Sequence, residues 1–286
     1  MTVAIATAVG ARGLDEDEPL LLEALARLGV DTEVAVWDDQ SVDWSGYELV
    51  VVRSTWDYPP RRDAFVAWAE DVAGRTRIAN PAGVLRWNTD KRYLAELAEA
   101  GLPVVPTAWL EPGNVAVLPD WDELVVKPAV SAGAKDTARY GPERRTEAGD
   151  HAAALLAAGR TVMIQPYVAE IDDDGETALM YIEGRYSHAI RKGPILQAGA
   201  RLVDGLFAPE DITARQPTAA ECNLAEAVLA AVPGGDRLLY ARVDVVIGAD
   251  GGPLLLELEL TEPSLFLAFA DGAADRLASA IAAATR

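Results

Sequence analysis

Hydrophobic and polar positions alternate most clearly near the C-terminal end of the chain. Leu254, Leu256, Leu258 and Leu260 interleave with Leu255, Glu257, Glu259 and Thr261. A period of two predicts a strand over 254–260, with Glu257 and Glu259 on one face, about 7 Å apart. Residues 238–247 predict a second strand, and Gly248-Ala-Asp-Gly-Gly252 between them suits a hairpin turn. That pairing brings Asp244 towards Glu257 and Glu259. Upstream, 3–8, 32–37 and 49–53 predict strands, with a helix over 20–28 that Asp15-Glu-Asp-Glu18-Pro19 opens and Gly29 stops. This order implies a small α/β sandwich. Helices follow over 61–72 and from Asn88 to Gly101, then strands over 107–110 and 124–128. A helix over 151–159, strands over 161–164, 177–182 and 185–191, a helix over 217–232 and a closing helix over 264–285 complete the pattern.

Composition narrows the class. The 286 residues are half hydrophobic, which places the chain among globular proteins with a large core. With 45 acidic and 25 basic residues the net charge is −20, which repels nucleic acid and anionic membranes. A single Cys222 excludes an intramolecular disulfide. His151 and His188 are too few for a histidine-rich metal site. No apolar run reaches membrane-spanning length, and the N-terminus reads as a first strand, so the expectation is cytoplasmic.

Three stretches carry candidate chemistry. Glu257 and Glu259 repel unless a cation lies between them. Water and counter-ions serve on a solvated strand, and Mg²⁺ serves on a catalytic one. Leu124-Val-Val-Lys127-Pro128 ends a buried strand in a lysine, and the small-residue loop Ala129 to Lys135 follows, with Ser131 and Gly133. Such a loop suits phosphate. It is no P-loop, and on that segment alone a surface hairpin turn is the plainer reading. Arg53-Ser-Thr-Trp-Asp57-Tyr58 stands at the C-terminal end of a strand, where open α/β sheets hold ligands. A polar loop with a structural Trp accounts for it equally well. A dinucleotide fingerprint is absent, because Gly10 and Gly13 lack the spacing.

Taken in order, five motifs over residues 75–270 resemble the ATP-grasp superfamily, in particular its glutathione-synthetase-like group. They are Asn88-x-Asp90-Lys91, Val125-Val-Lys127-Pro128, Gln165-Pro166-Tyr167-Val168 with Glu170 and Gly175, Arg242-x-Asp244, and Glu257-x-Glu259-x-Thr261-x-Pro263. Arg53-Ser-Thr-Trp-Asp-Tyr, Arg86-Trp-Asn-Thr-Asp-Lys and the run from Glu257 to Ser264 further resemble an actinobacterial group akin to the cyclo-ligase that closes O-ureido-serine to cycloserine. The resemblance implies an α/β (α+β) protein: an N-terminal α/β domain (1–80), then two α+β ATP-grasp subdomains (81–160 and 161–286) holding the nucleotide between them. It implies ATP bound by Lys91, Lys127, Ser131, Gly133, Gln165, Pro166, Tyr167, Val168 and Glu170. Asp244, Glu257 and Glu259 then hold one or two Mg²⁺ ions, with Mn²⁺ as a substitute. Arg191 and Arg242 act on the transferred phosphoryl group. Arg53, Asp57, Tyr58 and His188 face a small-molecule substrate, although a lone His188 is more often a hydrogen-bonded strand residue.

The implied activity is an ADP-forming ligase joining a carboxylate to a nitrogen through an acyl phosphate. A kinase on the same fold and a nucleotide-binding module without turnover are the alternatives. Two departures bear on the substrate. Glu259 stands where glutathione synthetases carry Asn, and Gly175-Glu-Thr-Ala lacks the basic residue of that group. The alanine-rich closing helix fits its own domain or a second subunit, so a homodimer is one expectation.

Overall fold

The structure is a computed structural model and describes residues 2–194, 196 and 211–286. The chain opens with β1 (Thr2–Thr7), α1 (Asp17–Arg27), β2 (Asp31–Val36), β3 (Leu49–Val52), α2 (Arg62–Arg75) and β4 (Arg77–Ala79). These strands form a parallel sheet in the order β2-β1-β3-β4. The run of buried Val and Ala in β1 and β3 follows from packing on both faces of a parallel sheet.

Two short helices, α3 (Ala82–Asn88) and α4 (Tyr93–Glu99), lead out of this sheet. The sequence pattern predicts one helix opening at Asn88, but the helix breaks between Asn88 and Tyr93. Asp90 Oδ1 accepts the Arg92 amide at 3.1 Å, an alternative to the helical ladder that turns the chain locally. Next come β5 (Ala108–Leu110), β6 (Leu124–Pro128), β7 (Ala138–Tyr140), α5 (Arg145–Ala157) and β8 (Val162–Pro166). They form an antiparallel sheet in the order β5-β8-β6-β7, with α5 against one face.

The last part comprises α6 (Ile171–Asp174), β9 (Glu176–Ile182), β10 (Arg185–Lys192), β11 (Ile212–Arg215), α7 (Ala219–Ala230), β12 (Tyr240–Ile247), β13 (Pro253–Glu259) and α8 (Ala273–Ala284). Its five strands lie in the order β11-β10-β9-β12-β13. A Thr218–Glu221 capping box starts α7. The closing helix begins at Ala273, not at 264, because Asp17 captures the amides of Leu265, Phe266 and Leu267 and holds that stretch out of the helix. Leu277 and Ile281 of α8 share a core with Leu21 and Leu25 of α1 and with Met180 and Ile190 of the five-stranded sheet.

Buried polar side chains fix how these parts meet. Asn80 donates to the Tyr240 and Leu260 carbonyls at 2.9 and 2.7 Å and accepts the Leu239 amide at 2.7 Å. Asn88 donates to the Leu258 carbonyl at 2.7 Å and accepts the Leu260 amide at 2.8 Å. The Tyr93 hydroxyl bonds both backbone groups of Leu258. Strand β13 is thereby clamped to α3 and α4 through bonded buried polar groups.

Candidate active site

Strands β12 and β13 pair antiparallel, placing Arg242 opposite Glu259 and Asp244 opposite Glu257. A bulge follows at Asp244/Val245, so Val245 pairs with Leu255 and Leu256 is left over. The bulge breaks the simple alternation. Leu255, Leu258 and Leu260 enter the core, while Leu256, Glu257 and Glu259 turn to a cavity.

That cavity, of about 460 Å³, lies where the three sheets converge. Lys91, at the break between α3 and α4, donates to the Ser131 carbonyl at 2.9 Å and meets Glu257 at 3.1 Å. Lys127, at the end of β6, lines the same space and makes no ion pair among the described residues. Gln165, Pro166, Tyr167 and Val168 at the end of β8 form another wall, with Ser131 and Gly133 above. Gly133 has φ +60, and its neighbour Ala134 is also left-handed at φ +50, a strained backbone.

The remaining sequence candidates divide. Arg242 and Tyr58 line the cavity. Arg191 does not: its Nε donates to the Asp174 carbonyl at 2.8 Å, and it is the next residue, Lys192, that points inward. Lys192 meets Asp244 at 2.6 Å and Glu176 at 3.0 Å. Strand parity distinguishes the two, since residues 190 and 192 share the face that 191 does not. Asp57 accepts from Trp37 Nε1 at 2.8 Å and pairs with Arg61 at 2.6 Å, away from the wall. His188 sits behind the wall, with Nε2 at 2.8 Å from the Leu265 carbonyl, as the plainer reading of a strand histidine expects. Arg53 is buried under the wall beside Asp17 at 3.3 Å. Glu170 begins α6 outside the cavity.

Asp244 also lies behind the lining. Its Oδ1 accepts Arg242 Nε at 2.9 Å and its Oδ2 accepts Arg242 Nη2 at 2.9 Å and Lys192 Nζ at 2.6 Å. Burial opposes its ionisation, yet Arg242 and Lys192 hold its pKa down at about 2. Burial likewise opposes the charge on Glu257, and Lys91 and Lys127 outweigh it, so that pKa is lowered. Glu259 differs. Burial, with Glu257 and Asp244 nearby, pushes it up to about 7 despite its contact with Arg242. Burial and Glu259 push Glu262 up to about 8. Burial lowers Lys127, whereas Glu257 overcomes burial to raise Lys91.

Among the described residues no three carboxylates converge as a ready-made metal cage. The donor set still suits a hard cation that shares its coordination with phosphates. Glu257, Glu259 and Glu262 all line the cavity, and burial first, then the neighbouring carboxylates, raises the last two. Asp244, as placed, gives both oxygens to Arg242 and Lys192. Sequence reasoning missed Lys192, Glu176, Glu262 and Asp17. Parity identifies the first two, which pair directly across β9 and β10.

Comparison with known proteins places the chain in a family. Residues 3–80 match the family described as D-cycloserine synthetase DcsG, N-terminal domain. The chain is 42% identical over 285 residues to the cycloserine biosynthesis protein DcsG of Streptomyces lavendulae, covering 94% of each. The crystal structure of D-cycloserine synthetase DcsG superposes with TM-score 0.93 at 40% identity, covering all of both chains. D-alanine–D-alanine ligase from Bacillus anthracis, solved with ATP, shares the fold alone, with TM-score 0.67 at 14% identity over 100% of this chain and 97% of that one. No helix among the described residues is long and apolar enough to cross a membrane. The chain belongs to the DcsG family and is an ATP-dependent ligase of the ATP-grasp fold.

Proposed function

We propose that this ligase forms a C–N bond with release of ADP and phosphate, through an acyl phosphate, on a small amino-acid-like substrate whose own nitrogen closes a ring. The observation that carries this reading is Lys127, a buried cation that makes no ion pair among the described residues, facing a cavity that also holds Lys91, Lys192 and Arg242. A triphosphate supplies the anion. Gln165 to Val168 bound the base, and the Ser131–Gly133 loop covers the phosphates.

In the first step a substrate carboxylate oxygen attacks the γ-phosphorus and ADP leaves. Arg242, fixed by Asp244 from behind and by the Ser264 carbonyl at 3.1 Å, compensates the charge on the transferred group. In the second step a substrate nitrogen attacks the acyl carbon, loses its proton, and inorganic phosphate leaves. Glu257 and Glu259 would hold Mg²⁺, for which Mn²⁺ substitutes, and when bound it neutralises phosphate charge. The similarity to D-cycloserine synthetase, with the motif resemblance to the cyclo-ligase that closes O-ureido-serine, favours that compound as the substrate.

The test is ADP and phosphate release from Mg-ATP with O-ureido-serine and a panel of amino acids. Equal amounts of both products, dependent on one carboxylate compound, support the ligase. ADP with a phosphorylated product and no free phosphate would replace it with a kinase.

A further inference from the structure

Most charge in the cavity is paired; among the described residues that line it, Lys127, Glu262 and the exposed Glu16 make no ion pair. Lys91 meets Glu257 at 3.1 Å, Lys192 meets Asp244 at 2.6 Å and Glu176 at 3.0 Å, and Arg242 meets Asp244 at 2.9 Å and also Glu259. Lys127 remains as a cation without a carboxylate, and the triphosphate accounts for it. Glu262 remains as a carboxylate without a cation. It lines the cavity and makes no ion pair or side-chain hydrogen bond among the described residues.

Hydrogen bonds hold the backbone around Glu262. Its carbonyl accepts Trp56 Nε1 at 3.0 Å. The Thr261 carbonyl accepts the Tyr240 hydroxyl at 2.9 Å, and Thr261 Oγ1 donates to Asn88 Oδ1 at 3.2 Å. Tyr58 lines the same cavity, 3% exposed and stacked on Phe65. Its hydroxyl has no hydrogen-bond partner among the described residues, and of the charged groups near it Glu262 acts most strongly. Trp56 and Tyr58 both follow β3 and line the cavity together with Glu262.

A carboxylate, a phenol and an indole together select the class of cation. A hydrated Mg²⁺ gains little from aromatic faces and a neutral phenol. An ammonium has three N–H donors and one charge, and it is attracted to aromatic rings. We propose that Glu262, with the Tyr58 hydroxyl beside it, binds the ammonium group of the amino-acid substrate and so selects for a free amine. The assignment rests on the ligase reading above.

The experiment is calorimetric titration of the full chain loaded with Mg-AMPPNP, using O-ureido-serine and its deamino analogue as probes. The wild type is expected to bind the amine about 10- to 100-fold more tightly, the range for a hydrogen bond to a charged group. Glu262→Gln abolishes that difference by weakening the amine alone, while AMPPNP affinity stays near wild type and an unchanged far-UV circular dichroism spectrum confirms the fold. Glu262→Asp retains part of the preference, and Tyr58→Phe loses a smaller part of it. Equal binding of the two probes by the wild type overturns the assignment and leaves the ligase reading intact. So does a Glu262→Gln protein that loses AMPPNP or its Mg²⁺ requirement while keeping the amine preference, since Glu262 is then a metal ligand. Failure of both probes to bind, with no ADP formed from O-ureido-serine, removes the ligase reading and this assignment together.

Discussion

Lys192 Nζ donates to Asp244 Oδ2 at 2.6 Å, while the adjacent Arg191 turns away and gives its Nε to the Asp174 carbonyl at 2.8 Å. Two cations side by side in β10 thus serve opposite faces of one sheet. Lys192→Met withdraws a charge from the phosphate site and leaves buried Asp244 with Arg242 alone. ADP formation is expected to fall about 100-fold or more in kcat/KM for ATP. Arg191→Gln is expected to change it by less than about fivefold and to cost about 1 kcal/mol of stability. Comparable losses in both variants would show that the face assignment is wrong.

Lys127 separates function from stability. Burial lowers its pKa, so its charge costs the folded protein free energy that the unfolded chain does not incur. Its folded pKa lies below the unfolded value, so the cost is full at low pH and is relieved as pH rises through that range. Lys127→Met is therefore expected to raise the apo protein's Tm by a few degrees while weakening ATP binding about 100-fold. Differential scanning calorimetry without nucleotide, alongside a nucleotide titration, measures both. A lower apo Tm would contradict an uncompensated cation.

How much of this was legible follows from the range of each interaction. Alternation over 254–260 located one strand of the acidic hairpin and put Glu257 and Glu259 on one face of it, because period two is a local property. The bulge at Asp244/Val245 is one extra residue and leaves no mark on composition, so the expectation of Leu254 and Leu256 on the core face failed where Leu255 took it. Lys192 was within reach of the same parity that found Glu257. The closing helix was drawn too long because 264–272 contains good helix formers, and only a residue 248 positions away, Asp17, stops it. Asp17 itself reads locally as an acid in the first turn of α1, which it is.

Asp17 accepts three amides, from Leu265 at 2.6 Å, Phe266 at 3.1 Å and Leu267 at 2.7 Å, and lies 3.3 Å from buried Arg53. Phe266 is left-handed at φ +50, a conformation these bonds impose. The held loop presents Ser264, Phe266 and Phe269 to the cavity. Asp17→Ala leaves three amides and a guanidinium short of a partner. Urea denaturation is expected to show a loss of about 3–5 kcal/mol. Asp17→Asn, which keeps acceptor capacity on one oxygen, is expected to lose less. A Asp17→Ala protein within about 1 kcal/mol of wild type would show that the loop holds itself.

The apo protein is expected to be less stable at alkaline than at weakly acidic pH. A carboxylate whose folded pKa exceeds its unfolded value holds more protons when folded, so stability drops as pH rises from the unfolded to the folded value. Glu259, raised from 4.5 to about 7, and Glu262, raised from 4.5 to about 8, both act this way. Asp244 acts oppositely: its stabilising contribution is full above 3.8 and is lost as pH falls through about 2, below the window in question. Tm without Mg-ATP should therefore decline by several degrees between about pH 5 and about pH 8.5. Glu262→Gln removes one of the two titrating groups and should shrink the decline, chiefly at its alkaline end. Mg²⁺ should shrink it too, by supplying the positive charge the wall lacks. A decline that is the same in wild type and Glu262→Gln would place its origin outside this cluster.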